Sequence, residues 1–231
     1  MTSKGSFEAS LAKIADLDKS GYQLNSVLAV AEDLTFNEID GPLAGVPILI
    51  KDNIEALGLP ATAGSLALAD TPVVRDSTIA KRLRAAGATI IGSTNLSEWA
   101  NIRSGKSTSG WSAVGGLTAN PWKHAHSAGG SSSGSGAAVG AGLVSMAVGS
   151  ETDGSIVCPA SLNGCVGIKP TVGSIPRDAM IPISASQDTP GPMAQSVAQA
   201  ALLLEVLTGK SGYQSAVNGS LRFVSALSKN G

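Results

Sequence analysis

The chain has 231 residues, and its 16 basic and 17 acidic side chains leave a formal net charge of −1, so no basic stripe is available to neutralise phosphates and nucleic-acid binding has no support. Apolar residues make up 43% and charged residues 14%, a balance that favours a sizeable buried core over disorder. The polar start, Met1 to Leu17, lacks a signal-peptide core, and no apolar run reaches about 18 residues, so a soluble, cytoplasmic protein without a membrane role is expected.

In chain order, Ser6 to Ala31 carries apolar residues at helical spacing (Leu11, Ile14, Leu17, then Leu24, Val27 and Leu28) and predicts helix. Gly41 to Gly45 is a turn. Val46 to Ile50 is a short continuous apolar run and predicts a buried strand, with Lys51, Asp52 and Asn53 at its end. Ser77 to Ala86 predicts a capped amphipathic helix with Ile79, Leu83 and Ala86 on one face, stopped by Gly87. A second buried strand is expected at Thr89 to Ile91, then a helix from about Leu96. Gly105 to Ser127 reads as loop. A helix from about Ser133 to Leu143 and a strand at Ser145 to Gly149 follow the Gly/Ser stretch, and Val166 to Lys169 predicts another strand. Val197 to Leu207 is apolar all round and predicts a buried helix, and Leu221 to Ala226 predicts one more strand. Strands alternating with helices imply an α/β fold, with a mixed, mainly parallel central sheet covered on both faces. No repeat or linker divides the chain, so 1–231 reads as a single domain.

Cys158 and Cys165 read as reduced, buried, small apolar residues. His124 and His126 have no partners at zinc-site spacing, so no metal or other cofactor is expected.

Three places break the bland pattern: Lys51 at the end of an apolar strand, Ser131 within Gly129-Gly130-Ser131-Ser132-Ser133-Gly134-Ser135-Gly136, and Ser155 within Gly149-Ser150-Glu151-Thr152-Asp153-Gly154-Ser155-Ile156. A Gly/Ser stretch can be a flexible linker, but linkers do not run straight into a long apolar segment. It can also be a helix N-terminus that holds an anion, although the Walker lysine is absent. Gly130-x-Ser132-x-Gly134 matches a nucleophile elbow, yet no histidine follows it to complete a triad. The order His126, Asp153, Ser155 stays open, because triads are set by geometry. Without a usable histidine, a serine hydrolase needs another base. A lysine can serve if its reference pKa of about 10.4 falls by several units, which burial achieves by penalising the ammonium. Val46 to Ile50 could bury Lys51, and alternation on an extended strand would turn Asp52 to the opposite face. An ordinary exposed strand-end lysine is the competing reading.

Together these motifs resemble the amidase-signature family. Gly41-Pro-Leu-Ala-Gly-Val-Pro-Ile-Leu-Ile-Lys51-Asp-Asn53 is similar to its lysine motif. Gly129 to Ser135, Thr152 to Ile156 and Gly167-Ile-Lys-Pro-Thr171 resemble its serine- and glycine-rich signature, and Pro190-Gly-Pro-Met193 continues the likeness to about Gly209. The resemblance implies a Ser–Ser–Lys triad with Ser155 as nucleophile, Ser131 as the bridging serine on a cis peptide bond, and Lys51 as base. Backbone N–H groups of Thr152, Asp153, Gly154 and Ser155 would receive the oxyanion. Ala63 to Ala67, Asn95 to Asn101, Gly110 to Ser112, Glu151 to Pro159 and Ser186 to Thr189 resemble the peptide-amidase subgroup, which implies a small-molecule or peptide amide substrate. An ammonia-supplying subunit of glutamyl-tRNA amidotransferase type and an inactive, amide-binding relative are the alternatives. The resemblance also implies that the family domain is longer, so this chain is read as its N-terminal portion without the C-terminal half. Oligomeric state is not legible.

Overall fold

The computed structural model describes residues 3–32 and 34–209. Helix α1 (Ser3–Lys13) runs into a π-turn at Ile14–Lys19, and β1 follows at Val27–Val30. The helical periodicity across Ser6 to Ala31 therefore breaks in the middle. Asp18, fully buried, explains where. Its carboxylate accepts from Ser26 N at 2.7 Å and Val27 N at 3.1 Å, and from the Ser26 hydroxyl. Gly21, Gln23 and Asn25 take positive φ, so the chain reverses and Val27 pairs with Thr94 on the sheet.

The next elements are β2 (Pro47–Lys51), α2 (Thr78–Ala85) and β3 (Thr89–Thr94). Ser77 caps α2 by accepting from Ala80 N at 3.2 Å, and Gly87 at φ +88 ends it. In place of the helix expected from Leu96, a single 3₁₀ turn forms at Glu98–Asn101, with Trp99 and Ala100 left-handed. The Ser97 and Trp99 N–H groups are directed to Ser131 O and Ala63 O, at 3.0 and 2.9 Å. Tertiary acceptors thus replace the helix ladder. A small hairpin, β4 (Trp111–Ser112) and β5 (Gly116–Leu117), lies in the expected loop. Then come α3 (Ser133–Gly140), β6 (Met146–Glu151), α4 (Val157–Asn163), β7 (Val166–Gly167), β8 (Thr189–Ala194) and α5 (Val197–Thr208). The strand expected at Leu221 to Ala226 lies outside the described residues.

The sheet order is β1-β3-β2-β6-β8-β7. Strands β3, β2 and β6 are parallel neighbours, and β7 points the same way, while β1 and β8 oppose them. Side-chain alternation then divides the core. Ile48, Ile50, Ile90, Met146 and Val148 pack with α2 and α5 on one face. Leu49, Ile91 and Ala147 pack with α1 and α3 on the other. Lys51 follows Leu49 by two residues and so shares its face, the one covered by α3.

Helix α3 lies close to the sheet because its residues are small. A Cβ at Gly134 would sit 2.2 Å from Ser26 O and 2.5 Å from Asn95 N, main-chain atoms on two sides that cannot both retreat. Gly134→Ala is therefore expected to lose about 3 kcal/mol or more of stability through overpacking, read as a lowered urea midpoint.

Candidate active site

Lys51 is completely buried. Its amine reaches three oxygens: Ser131 Oγ at 2.7 Å, Ser150 Oγ at 3.0 Å and Ser150 O at 3.2 Å. Ser131 comes from the turn before α3, through a cis Gly130–Ser131 peptide bond, and its carbonyl accepts from Ser97 N at 3.0 Å. Ser150 belongs to β6. The β2–β6 register ends at Ile50–Val148, so the main chain of Ser150 bonds outside the ladder: its N–H donates to Ser132 Oγ at 3.2 Å and its carbonyl accepts from Ser132 Oγ at 3.0 Å.

Burial pushes the Lys51 amine down from 10.5 to about 7, while the carboxylates of Glu151 and Asp188 draw it back up. Asp52, expected to lie away from the amine, does not contribute. Its Oδ2 accepts from Thr62 N at 3.1 Å, from Gly64 N at 3.2 Å and from the Thr62 hydroxyl, which ties the 61–65 loop to the strand end. Burial raises its carboxyl from 3.8 to about 6 against those hydrogen bonds.

Ser155 stands just before α4, with 9% of its surface exposed. Its carbonyl accepts from Ser132 N at 3.0 Å, which joins the two serine-bearing segments through the main chain. Among the described residues its hydroxyl makes no hydrogen bond, so the structure brings Lys51 and Ser131 into contact and leaves the Ser155 oxygen unengaged. Such contacts often tighten only when substrate binds. His126 is exposed and makes no hydrogen bond with Asp153 or Ser155.

Glu151 opens the Glu151 to Pro159 stretch without an assigned role there, yet it shapes the turn. One carboxylate oxygen accepts from Gly154 N at 2.9 Å, the other from Ile156 N at 2.7 Å and Val157 N at 3.0 Å. Gly154, at φ +78, is thus committed, while the N–H groups of Thr152, Asp153 and Ser155 have no acceptor among the described residues. Asp188 holds the other side of the turn: it accepts from Thr152 Oγ1 at 2.6 Å, Ile183 N at 2.7 Å and Ser184 N at 2.9 Å. Ser97, Glu151 and Asp188 lie inside stretches that resemble the peptide-amidase subgroup, and Ser150 lies in the segment that carries Ser155, but the linear sequence gives none of the four a role.

Cys158 and Cys165 are both free thiols, and Cys158 is exposed rather than buried. It sits on the outward side of α4 with Val157 and Leu162, each 45% exposed. Among the described residues, no cluster of three or more His, Cys, Asp or Glu side chains is placed to hold a metal, and no helix is long and apolar enough to cross a membrane.

A mixed α/β sheet with a buried lysine bonded to a serine ahead of a Gly/Ser helix defines an amidase-signature fold. The Amidase family model matches residues 12–229, and the chain belongs to that family. The solved structure of native peptide amidase from Stenotrophomonas maltophilia is 49% identical, with a TM-score of 0.88 over 94% of this chain and 47% of its own. Mandelamide hydrolase of Pseudomonas putida is 40% identical over 90% of this chain and 43% of its own length. The A-type subunit of glutamyl-tRNA(Gln) amidotransferase from Salinispora tropica is 48% identical over 73% of this chain and 33% of its own length. The chain thus spans under half the length of these relatives.

Two stability outcomes follow from this geometry. In the unfolded chain Lys51 keeps its proton up to 10.5, whereas the folded amine releases it near 7. Between those values the unfolded state binds more protons, so the stability linked to Lys51 rises with pH from about 7 to 10.5. Lys51→Met is expected to abolish that rise, seen by comparing urea midpoints of both proteins at pH 7, 8 and 9. Glu151→Ala leaves three N–H groups without their acceptor, each loss worth about 1–3 kcal/mol. Its thermal unfolding should therefore fall well below that of the parent.

Proposed function

We propose that this chain carries the acyl-transfer centre of an amidohydrolase that converts carboxamides to carboxylates and releases ammonia or an amine. The observation that carries the reading is the 2.7 Å contact from the Lys51 amine to Ser131 Oγ, in surroundings that move the amine to about 7. At neutral pH much of that lysine is uncharged and can accept a proton.

In the proposed sequence Ser155 Oγ attacks the amide carbon. Its proton passes to Ser131 Oγ as the Ser131 proton passes to Lys51 Nζ. The tetrahedral oxyanion is received by the N–H groups of Thr152, Asp153 and Ser155, with Gly154 shaping the turn rather than donating. Collapse breaks the C–N bond, and the proton on Lys51 returns through Ser131 to the leaving nitrogen. The acyl-enzyme on Ser155 is then attacked by water over the same relay, which regenerates the serine and frees the acid. All three side chains come from this chain, and each step conserves protons within it.

C-terminal peptide amides are the favoured substrate class. The likeness to a structure named peptide amidase, 49% identical over 94% of the chain, supports that choice. The amidotransferase relative, 48% identical over 73% of the chain, supports a second reading in which glutamine is the amide donor.

The test is ammonia release from a peptide amide and from glutamine, measured on this chain and on any longer product of its reading frame. Ser155→Ala should lower turnover by about 10³-fold or more, and a fluorophosphonate probe should label Ser155 in the parent protein. Absence of both labelling and ammonia would leave an amide-binding protein without catalysis. The kcat/KM profile should climb with pH around a midpoint near 7, where Lys51 loses its proton.

A further inference from the structure

We propose that Ser150 is a positioning residue whose hydroxyl aims the free electron pair of Lys51 at Ser131. The proposal rests on the reading of Lys51 as proton acceptor and adds a group that the Ser–Ser–Lys scheme lacks.

A neutral amine has two hydrogens and one lone pair, and three oxygens surround this one. The carbonyl of Ser150 can only accept, so it takes one N–H. The remaining N–H and the lone pair must be divided between Ser131 Oγ and Ser150 Oγ. If Ser150 donated its hydrogen to the amine, the lone pair would be occupied and Ser131 could not be deprotonated. Asn53 offers that hydrogen another acceptor. Its Nδ2 donates to Ser150 Oγ at 3.0 Å, and its Oδ1 lies 3.4 Å away as an outlet for the hydroxyl hydrogen. Ser150 Oγ therefore presents a lone pair to Lys51 and receives the second N–H. The lone pair of the amine is left for Ser131, the nearest oxygen.

The same arrangement suits the protonated state. An ammonium has three N–H groups for the same three oxygens, so no partner needs to move when the proton arrives. Ser150 itself is held in place, with its N–H on Ser132 Oγ and its carbonyl shared between Ser132 and Lys51. The charged groups facing the amine are Glu151, from the same strand as Ser150, and Asp188, from the segment before β8. Both attract its proton. The carboxylate of Asp52, next to Lys51 in the chain, is bonded to Thr62 and Gly64.

Ser150→Ala removes the acceptor that the ammonium uses and the constraint on the lone pair. A lost hydrogen bond to a charged group is worth about ten- to a hundredfold, so kcat should fall by that factor with KM little changed. The acid limb of kcat/KM should also move to lower pH by about one pH unit, because the ammonium has lost a partner. Ser150→Thr keeps the hydroxyl and should restore both the rate and the position of the limb. Lys51→Met and Ser155→Ala are assayed alongside, with folding followed by circular dichroism. Parent-like kcat and an unmoved acid limb in folded Ser150→Ala, while Lys51→Met and Ser155→Ala are inactive, would overturn the role of Ser150 alone. Retained activity in Lys51→Met would overturn the triad reading itself. A reduced rate in Ser150→Ala with an unmoved limb would show ordinary structural damage and also overturn the proposal.

Discussion

The site depends on a lysine amine held entirely out of water at the end of a central strand. Water solvates an ammonium far better than a packed interior does, so burial alone drives the group toward its neutral form. What keeps the interior tolerable is a ring of three oxygens within 3.2 Å, two of them from one serine. The carboxylates of Glu151 and Asp188 pull the other way. The balance leaves the amine close to neutrality at physiological pH, the condition under which it can exchange a proton readily in both directions.

Those carboxylates have structural occupations that explain their presence beside the amine. Around the site the main chain is irregular, and its N–H groups have no ladder to join. Glu151 satisfies three of them and Asp188 two. Asp52 does the same for the loop beyond β2, and Asp18 for the bend before β1. A carboxylate with two oxygens and no hydrogens can gather several donors at one point. Each of these four acids therefore fixes a piece of non-repetitive backbone against the sheet. Two of them set the electrostatic background of Lys51 as a consequence of where they must stand.

The Gly/Ser helix has a related logic. Its small side chains let α3 approach the sheet closely enough for the preceding turn to deliver Ser131 to the lysine. Its buried hydroxyls then find partners across the interface: Ser135 Oγ lies 2.7 Å from Thr94 Oγ1 and donates to Val148 O at 3.1 Å. A larger apolar helix would fill the same face but hold the turn away from β2. Composition that looks like a linker thus serves close packing.

Much of the framework was legible in the linear order of residues. The apolar runs at β2, β3 and β6, the Ser77 cap with the Gly87 stop, and the apolar helix α5 follow from local periodicity and end signals, which need no distant partner. Lys51, Ser131 and Ser155 stood out through their motifs. β8 was not legible, because Pro190 and Pro192 argue against an interior strand. It forms because the Pro192 carbonyl faces Ile168 N at 3.1 Å, so the nitrogens that lack hydrogens lie on the side where β7 soon ends. The break after Lys19 was hidden for a similar reason: helical spacing continued, but Asp18 found its acceptor role only in the bend. Neighbouring residues decided which segments became strands and helices. Contacts across 80 and 99 positions, Lys51 to Ser131 and to Ser150, decided which oxygens surround the buried amine, since hydrogen-bond partners are chosen by position in space and not by distance along the chain.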